Sequence, residues 1–201
     1  MRYDWFLFDL DGTLTESDEG ILNCARHALS ALGISPPPDA ELKSFIGPPL
    51  LGSFQNVGLS EADARRAMEI YRARYAEFGW QENRVYPGIA PLLRAIRRRG
   101  GHIALASAKP EVFCHRILDF FGLAPYFDRV CGVSLSDSSP EKMDIINRAL
   151  PEGVDRARCV MVGDRKYDVE GARAAGVKAV GVLYGYGAEE EFAAADFVAG
   201  T

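Results

Sequence analysis

The sequence predicts a doubly wound α/β fold, a parallel sheet with helices on both faces, interrupted once by an all-helical insertion. Two observations predict it. Five short, continuously apolar runs recur along the chain: Trp5 to Phe8, Ile103 to Ala106, Val130 to Val133, Cys159 to Val162, and Ala179 to Leu183. Continuous rather than alternating apolarity marks strands that are covered on both faces. From about residue 88 these runs alternate with segments of helical spacing, the rhythm of right-handed strand-helix-strand crossovers. The expected core is Rossmann-like.

The elements follow in order. After the first run, the segment from Ser17 to Arg84 shows no strand pattern. It carries Ile21, Leu22, Ala25, Leu29 and Leu32 on one helical face that ends at Gly33, and Met68, Tyr71, Tyr75 and Phe78 on another that ends at Gly79. Pro36-Pro37-Pro38 and Gly47-Pro48-Pro49 divide it into three or four helices. Residues 17–84 are therefore expected to form a helical cap domain and residues 1–16 with 85–201 the α/β core. The crossings near Glu16 to Glu19 and Arg84 to Gly88 would then serve as hinges. In the core, Ile89, Leu92, Leu93 and Ile96 share a face, as do Val112, Ile117, Leu118 and Phe121, with Gly100 and Gly122 where C-terminal caps belong. The tail from Glu189 to Thr201 reads as a short helix and an edge strand, Asp196 to Val198.

Bulk properties narrow the function. The chain has 201 residues, 48% of them hydrophobic, and 23 Lys plus Arg against 28 Asp plus Glu, a net charge of -5. No global field attracts nucleic acid or an anionic membrane, so an anionic ligand must be held by local cations. Arg97-Arg98-Arg99 suits the solvated last turn of a helix, where cations are favoured. Cys24, Cys114, Cys131 and Cys159 lie too far apart in sequence for the short spacings of zinc sites or redox pairs, and read as reduced thiols. The stretch from Met1 to Leu10 is too short and acidic for a signal peptide, and no run approaches the roughly 20 apolar residues that span a bilayer. The expectation is a cytoplasmic monomer or homodimer whose partner is a small molecule, with no nucleic acid and no membrane.

Asp9-Leu10-Asp11-Gly12-Thr13 follows the first apolar run directly. Ligands of α/β sheets collect beyond the carboxyl ends of the strands, so both carboxylates are expected in a site. They share a side if strand geometry persists one residue further. Gly12 lets the backbone turn and bring N–H groups to an oxyanion. Ordinary turn chemistry would also account for an acidic, glycine-containing loop. Three further stations follow: Ser107 at the end of the run Ile103 to Ala106, Lys142 in Pro140-Glu141-Lys142-Met143 near a helix start, and Gly163-Asp164-Arg165-Lys166-Tyr167-Asp168 after the run Cys159 to Val162. Singly, each has a plain reading as a cap, a solvated lysine or a turn.

In this order the four stations resemble the four motifs of the haloacid dehalogenase superfamily, a resemblance that runs from Asp9 to Gly187. It implies that Asp9 attacks phosphorus to form an aspartyl-phosphate, that Asp11 is the acid and base, and that Lys142 supports Asp9. It implies a magnesium ion held by the Asp9 carboxylate, the Asp11 backbone carbonyl and Asp164, with Asp168 as a direct ligand or as a partner behind the ligands. Gly12, Thr13, Ser107 and Ala108 would meet the phosphoryl group, and the cap turn at Gly47 would set specificity. The types suit the task, because a carboxylate approaches a dianionic ester only where cations offset the repulsion.

Two positions depart from the pattern. Thr15-Glu16-Ser17 has Glu where capped members often carry Asp, and Ala108 stands where Asn, Ser or Thr is frequent. By the same resemblance, Asp11 argues against carbon-halogen hydrolysis. Lys43, the lone lysine of the insertion, precedes the Gly47 turn and argues against phosphonate hydrolysis. A signalling receiver would carry its phosphorylated Asp on the third strand without an insertion. A sugar-phosphate mutase and a non-catalytic phosphate-binding module share the motifs and stay open. Phe45-Ile46-Gly47-Pro48-Pro49-Leu50, Gly163 to Ala172, and Gly181 to Gly187 resemble the phosphoglycolate phosphatase and 5'-nucleotidase-like subgroup. The expected substrate is a small phosphomonoester, a nucleoside 5'-monophosphate ahead of phosphoglycolate. The apolar Gly47 turn offers a second carboxylate no partner, although Arg26, Arg72 and Arg74 lie on neighbouring predicted helices.

Overall fold

The computed structural model describes residues 2–134 and 141–200. The chain divides into two compact units, Met1–Glu16 with Val85–Thr201, and Ser17–Arg84. It begins with β1 (Trp5–Phe8) and, after a tight turn, β2 (Thr15–Glu16).

The helical unit contains α1 (Asp18–Ala31), α2 (Asp39–Leu42), α3 (Leu50–Asn56) and α4 (Glu61–Arg74), with a single-turn 3-10 helix at Lys43–Phe45 and a π turn at Tyr75–Gly79. Asp18 and Glu19 meet the positive end of α1, and Gly33 closes it with φ 74°. Ser60 caps α4, its hydroxyl accepting from the Asp63 N–H at 3.2 Å. Ile21, Leu22, Ala25 and Leu29 are buried as their spacing predicts, and Phe54 packs edge-on against both Phe45 and Tyr71. Phe78 departs from expectation, because the π turn underwinds the end of α4 and leaves this ring 53% exposed. A Cβ on Gly20 would overlap the Gly79 carbonyl, so two glycines let α1 and the π turn meet backbone to backbone.

The α/β unit resumes at Val85, in β3 (Arg84–Val85), which pairs with β2 as a separate two-stranded sheet. Then follow α5 (Ile89–Arg98), β4 (His102–Pro110), α6 (Glu111–Phe120), β5 (Arg129–Val133), α7 (Lys142–Ala149), β6 (Cys159–Gly163), α8 (Lys166–Ala174), β7 (Lys178–Val182) and β8 (Phe197–Ala199). The main sheet is parallel throughout, with order β5-β4-β1-β6-β7-β8. Trp5, Leu7, Ala104 and Ala106 join Ile145 and Ile146 of α7 and Val169 and Ala172 of α8 in one core layer. By alternation Ile103 and Leu105, both buried, serve the opposite face, and α5 and α6 pack on β4. Gly100 and Gly122 close α5 and α6 with φ 77° and 64°.

Three expectations within this unit need correction. Leu92 and Val112 point outward, 44% and 41% exposed, and Phe113 and Cys114 occupy the core side of α6 instead. The final strand starts at Phe197, because the Asp196 carboxylate is engaged by the Ala179 N–H at 3.0 Å and Lys178 at 2.6 Å. β4 runs on to Pro110, past a register shift between Ala106 and Pro110. All four cysteines are free thiols, as read from their spacing. Among the described residues no helix is long and apolar enough to cross a membrane.

This topology creates the crevice. From β1 the chain winds outward through β4 and β5, then crosses back to β6 and winds out through β7 and β8. The loops leaving β1, β4 and β6 therefore diverge at neighbouring strand ends, where α/β sheets bind ligands. Leu7, fully buried in the central strand, tests the packing beneath that crevice. Leu7→Ala is expected to cost about 2–5 kcal/mol in denaturant unfolding. A loss below about 1 kcal/mol would mean that this layer is not close-packed.

Candidate active site

The first aspartate lies one residue beyond β1, and the ladder carries it there: the Asp9 N–H donates to the Val162 carbonyl at 3.0 Å. The chain then turns tightly, the Leu14 and Thr15 N–H groups both donating to the Leu10 carbonyl, with Leu10 and Leu14 buried beneath. Gly12 sits in this turn with φ 78°, and a Cβ there would overlap the Asp164 carboxylate. Asp9 and Asp11 take different partners. Asp9 offers an oxygen to a cluster with Asp164 and Asp168, the ligand atoms of all three lying within 4.8 Å of one another. Asp11 Oδ2 instead accepts from Lys109 Nζ at 2.6 Å.

Lys142 opens α7, and its ammonium donates to Asp9 Oδ1 at 2.9 Å and pairs with Asp168 Oδ1 at 2.6 Å. Gly171 of α8 makes this possible, since a Cβ there would press on the Lys142 stem. Pro140, part of the same sequence motif, lies outside the described residues. Burial opposes the Lys142 charge, yet Asp168 and Asp9 outweigh it and raise the ammonium pKa. Asp168 also accepts from the Arg165 N–H at 3.1 Å, tucked under the end of β6 where Gly163 leaves room.

Asp164 is fully buried. Its Oδ2 accepts from the Tyr186 N–H at 2.8 Å and its Oδ1 from the Thr13 hydroxyl at 3.3 Å. The Thr13 hydroxyl is thus engaged with an aspartate rather than turned toward a phosphoryl group. Tyr184 donates to the Thr13 carbonyl at 3.0 Å, and Cβ atoms on Gly185 or Gly187 would overlap Asp164. The loop after β7 therefore braces this carboxylate from above. Burial, then Asp9, then Asp168 push its pKa from 3.8 to about 8.

Ser107 is buried in β4, its hydroxyl accepting from the Lys109 N–H at 3.3 Å, while Ala108 is exposed. Gly47 belongs to the helical unit, at a turn with φ 101°. So do Arg26, Arg72 and Arg74; Arg74 is held by both oxygens of Glu82 at 2.8 Å, and Arg26 pairs with Asp39. Lys109, Tyr184 and Tyr186 carry no weight in the sequence reading. Lys109 stands two residues from Ser107, in a polar stretch that reads as loop in the sequence and that only pairing with β5 makes strand. Tyr184 and Tyr186 flank glycines whose spacing marks close backbone approach.

Four carboxylates, Asp9, Asp11, Asp164 and Asp168, thus meet two ammonium groups, Lys109 and Lys142. The deficit of two positive charges, the all-oxygen donor set and the raised Asp164 pKa fit a hard divalent cation.

A family model of the haloacid dehalogenase-like hydrolases matches residues 6–182. The chain belongs to this family. As a haloacid dehalogenase-like hydrolase it has relatives with several activities. It is 43% identical over 196 residues to a 5'-nucleotidase of Pseudomonas aeruginosa, a match covering 96% of this chain and 89% of that protein. It is 42% identical over 188 residues to the tyrosine-protein kinase PtkA of Mycobacterium tuberculosis, covering 90% of this chain and 62% of that protein. A crystal structure of a predicted phosphatase from Clostridium acetobutylicum superposes with a TM-score of 0.91 at 38% identity, covering 99% of this chain and 94% of that one.

The charge deficit has a measurable consequence. Folded, metal-free protein keeps a proton on Asp164 up to about pH 8, whereas the unfolded chain releases it near 3.8. The folded state binds more protons in that window, so this group makes stability fall as pH rises through it. A bound divalent cation would remove that penalty. The gain in Tm on adding magnesium chloride is expected to be larger at about pH 8 than at about pH 5.5. A gain that is equal or larger at the lower pH would contradict the assignment.

Proposed function

We propose that the chain is a magnesium-dependent phosphatase that hydrolyses a small phosphomonoester through an aspartyl-phosphate on Asp9. The observation that carries this reading is the Asp9 carboxylate, held by Lys142 at 2.9 Å beside Asp164 and Asp168, with Asp11 two residues on. An Asp9 oxygen attacks phosphorus as the ester P–O bond breaks, and Asp11 gives its proton to the departing oxygen. In the second half Asp11 takes a proton from water. The water oxygen attacks phosphorus, and the Asp9–phosphorus bond breaks to leave inorganic phosphate and a free carboxylate. Lys142 keeps Asp9 oriented throughout and Ser107 faces the phosphoryl oxygens. Asp9, Asp164 and the Asp11 carbonyl would hold magnesium, with Asp168 supporting through Lys142; the ion supplies positive charge against the phosphoryl oxygens.

For the substrate, the 43% identity to a 5'-nucleotidase supports a nucleoside 5'-monophosphate. Identity at 42% to PtkA favours a second reading, phosphoryl transfer to a tyrosine hydroxyl. One assay separates them: release of inorganic phosphate from a panel of phosphomonoesters, with magnesium or with chelator, beside ATP with a tyrosine copolymer. The phosphatase reading expects magnesium-dependent release from several small esters and no label on the copolymer. Asp9→Asn is expected to lower turnover on the order of 10⁴-fold or more with an unchanged circular dichroism spectrum. Near wild-type turnover in that variant would assign the nucleophile elsewhere.

A further inference from the structure

Lys109 has no part in the chemistry described so far, yet its ammonium lies 2.6 Å from Asp11 Oδ2, with side-chain exposures of only 6% and 17% for the pair. The backbone beneath it is built to hold it still. Its N–H donates to Ser107 Oγ at 3.3 Å, and its carbonyl accepts from the Cys114 thiol. A Cβ on Gly132 would press on that carbonyl and on the Glu111 backbone, so glycine in β5 is what lets the turn from β4 into α6 close. Glu111 fastens the same turn by accepting from the Gly132 N–H at 3.0 Å. A long cationic arm is thus mounted on fixed backbone and aimed at the acid-base aspartate rather than at the nucleophile, which Lys142 serves.

We propose that Lys109 is a positioning residue for Asp11: it fixes one carboxylate oxygen so that the other is presented to the departing ester oxygen. This rests on the phosphatase reading and deepens it. A group that acts only through Asp11 matters twice, where a proton is delivered as the P–O bond breaks and where water is deprotonated; the second step is common to all esters, so the first is read in kcat/KM, which reports the steps up to departure of the leaving group. Alkyl esters need that proton, because an alkoxide is a poor leaving group, whereas a nitrophenolate departs without one.

The test compares adenosine 5'-monophosphate with p-nitrophenyl phosphate in wild type, Lys109→Met and, as a second neutral variant, Lys109→Gln. The neutral variants are expected to lose on the order of 10²-fold in kcat/KM for the alkyl ester and far less for the aryl ester. Lys109→Arg, which keeps a cation, should recover most of the alkyl-to-aryl ratio. Combining Lys109→Met with Asp11→Asn should be no slower than Asp11→Asn alone, since nothing remains to be positioned. Equal losses of kcat/KM on both esters, a rise in KM with kcat intact, or additive losses in the double variant would overturn the proposal while leaving the phosphatase reading standing. Wild-type protein inert toward both esters would overturn the two together.

Discussion

The controlling constraint is the crowding of like charge at one end of the sheet. Asp9, Asp164 and Asp168 present oxygens within 4.8 Å of one another, and Asp164 is fully buried. Carboxylates so placed repel strongly in a low dielectric, and burial first, then Asp9 and Asp168, raise the pKa of Asp164. Such an arrangement persists only because the rest of the fold over-determines it. Lys142 bridges two of the three, the Tyr186 N–H and Thr13 hydroxyl hold the other, and the Arg165 N–H steadies Asp168.

Small residues are the means by which the fold does this. Gly12, Gly163, Gly171, Gly185 and Gly187 each stand where a Cβ would strike Asp164, Asp168 or Lys142. The strand order matters equally. Because β1 lies between β4 and β6, side chains at the ends of these three strands, together with Lys142 at the start of α7, meet at one end of the sheet although they are scattered along the chain. Lys142 and Asp9 are 133 positions apart, and Lys109 and Asp11 are 98. In this chain one lysine, Lys142, pairs with the carboxylate that joins the acidic cluster, and another, Lys109, with the carboxylate that does not.

Much of the fold was legible because a strand buried on both faces must be continuously apolar. Trp5 to Phe8 and Cys159 to Val162 needed at most one residue of adjustment. The polar end of β4 was not legible: Ser107-Ala108-Lys109-Pro110 reads as loop, and only pairing with β5 extends the strand through it. Helical faces misled at Phe78, Leu92 and Val112, where a π turn or the rotation of the helix against the sheet decides which side chains are covered. At the site, residue types and order sufficed to single out Asp9, Asp11, Lys142, Asp164 and Asp168. The different partners of Asp9 and Asp11, the ion pair of Lys109 and the brace from Tyr184 to Gly187 were hidden, because each depends on contacts between distant segments that no local pattern encodes.

Chemical trapping of the proposed aspartyl-phosphate is the most direct test. Protein quenched in acid during turnover of a phosphomonoester, reduced with borohydride and digested, would carry homoserine in place of aspartate wherever an acyl-phosphate had formed. That conversion is expected at Asp9 alone, and it should disappear when substrate is withheld. An intact Asp9 during active turnover, or a stable phosphoryl group on Ser107 or another side chain, would contradict the assignment of Asp9 as the nucleophile.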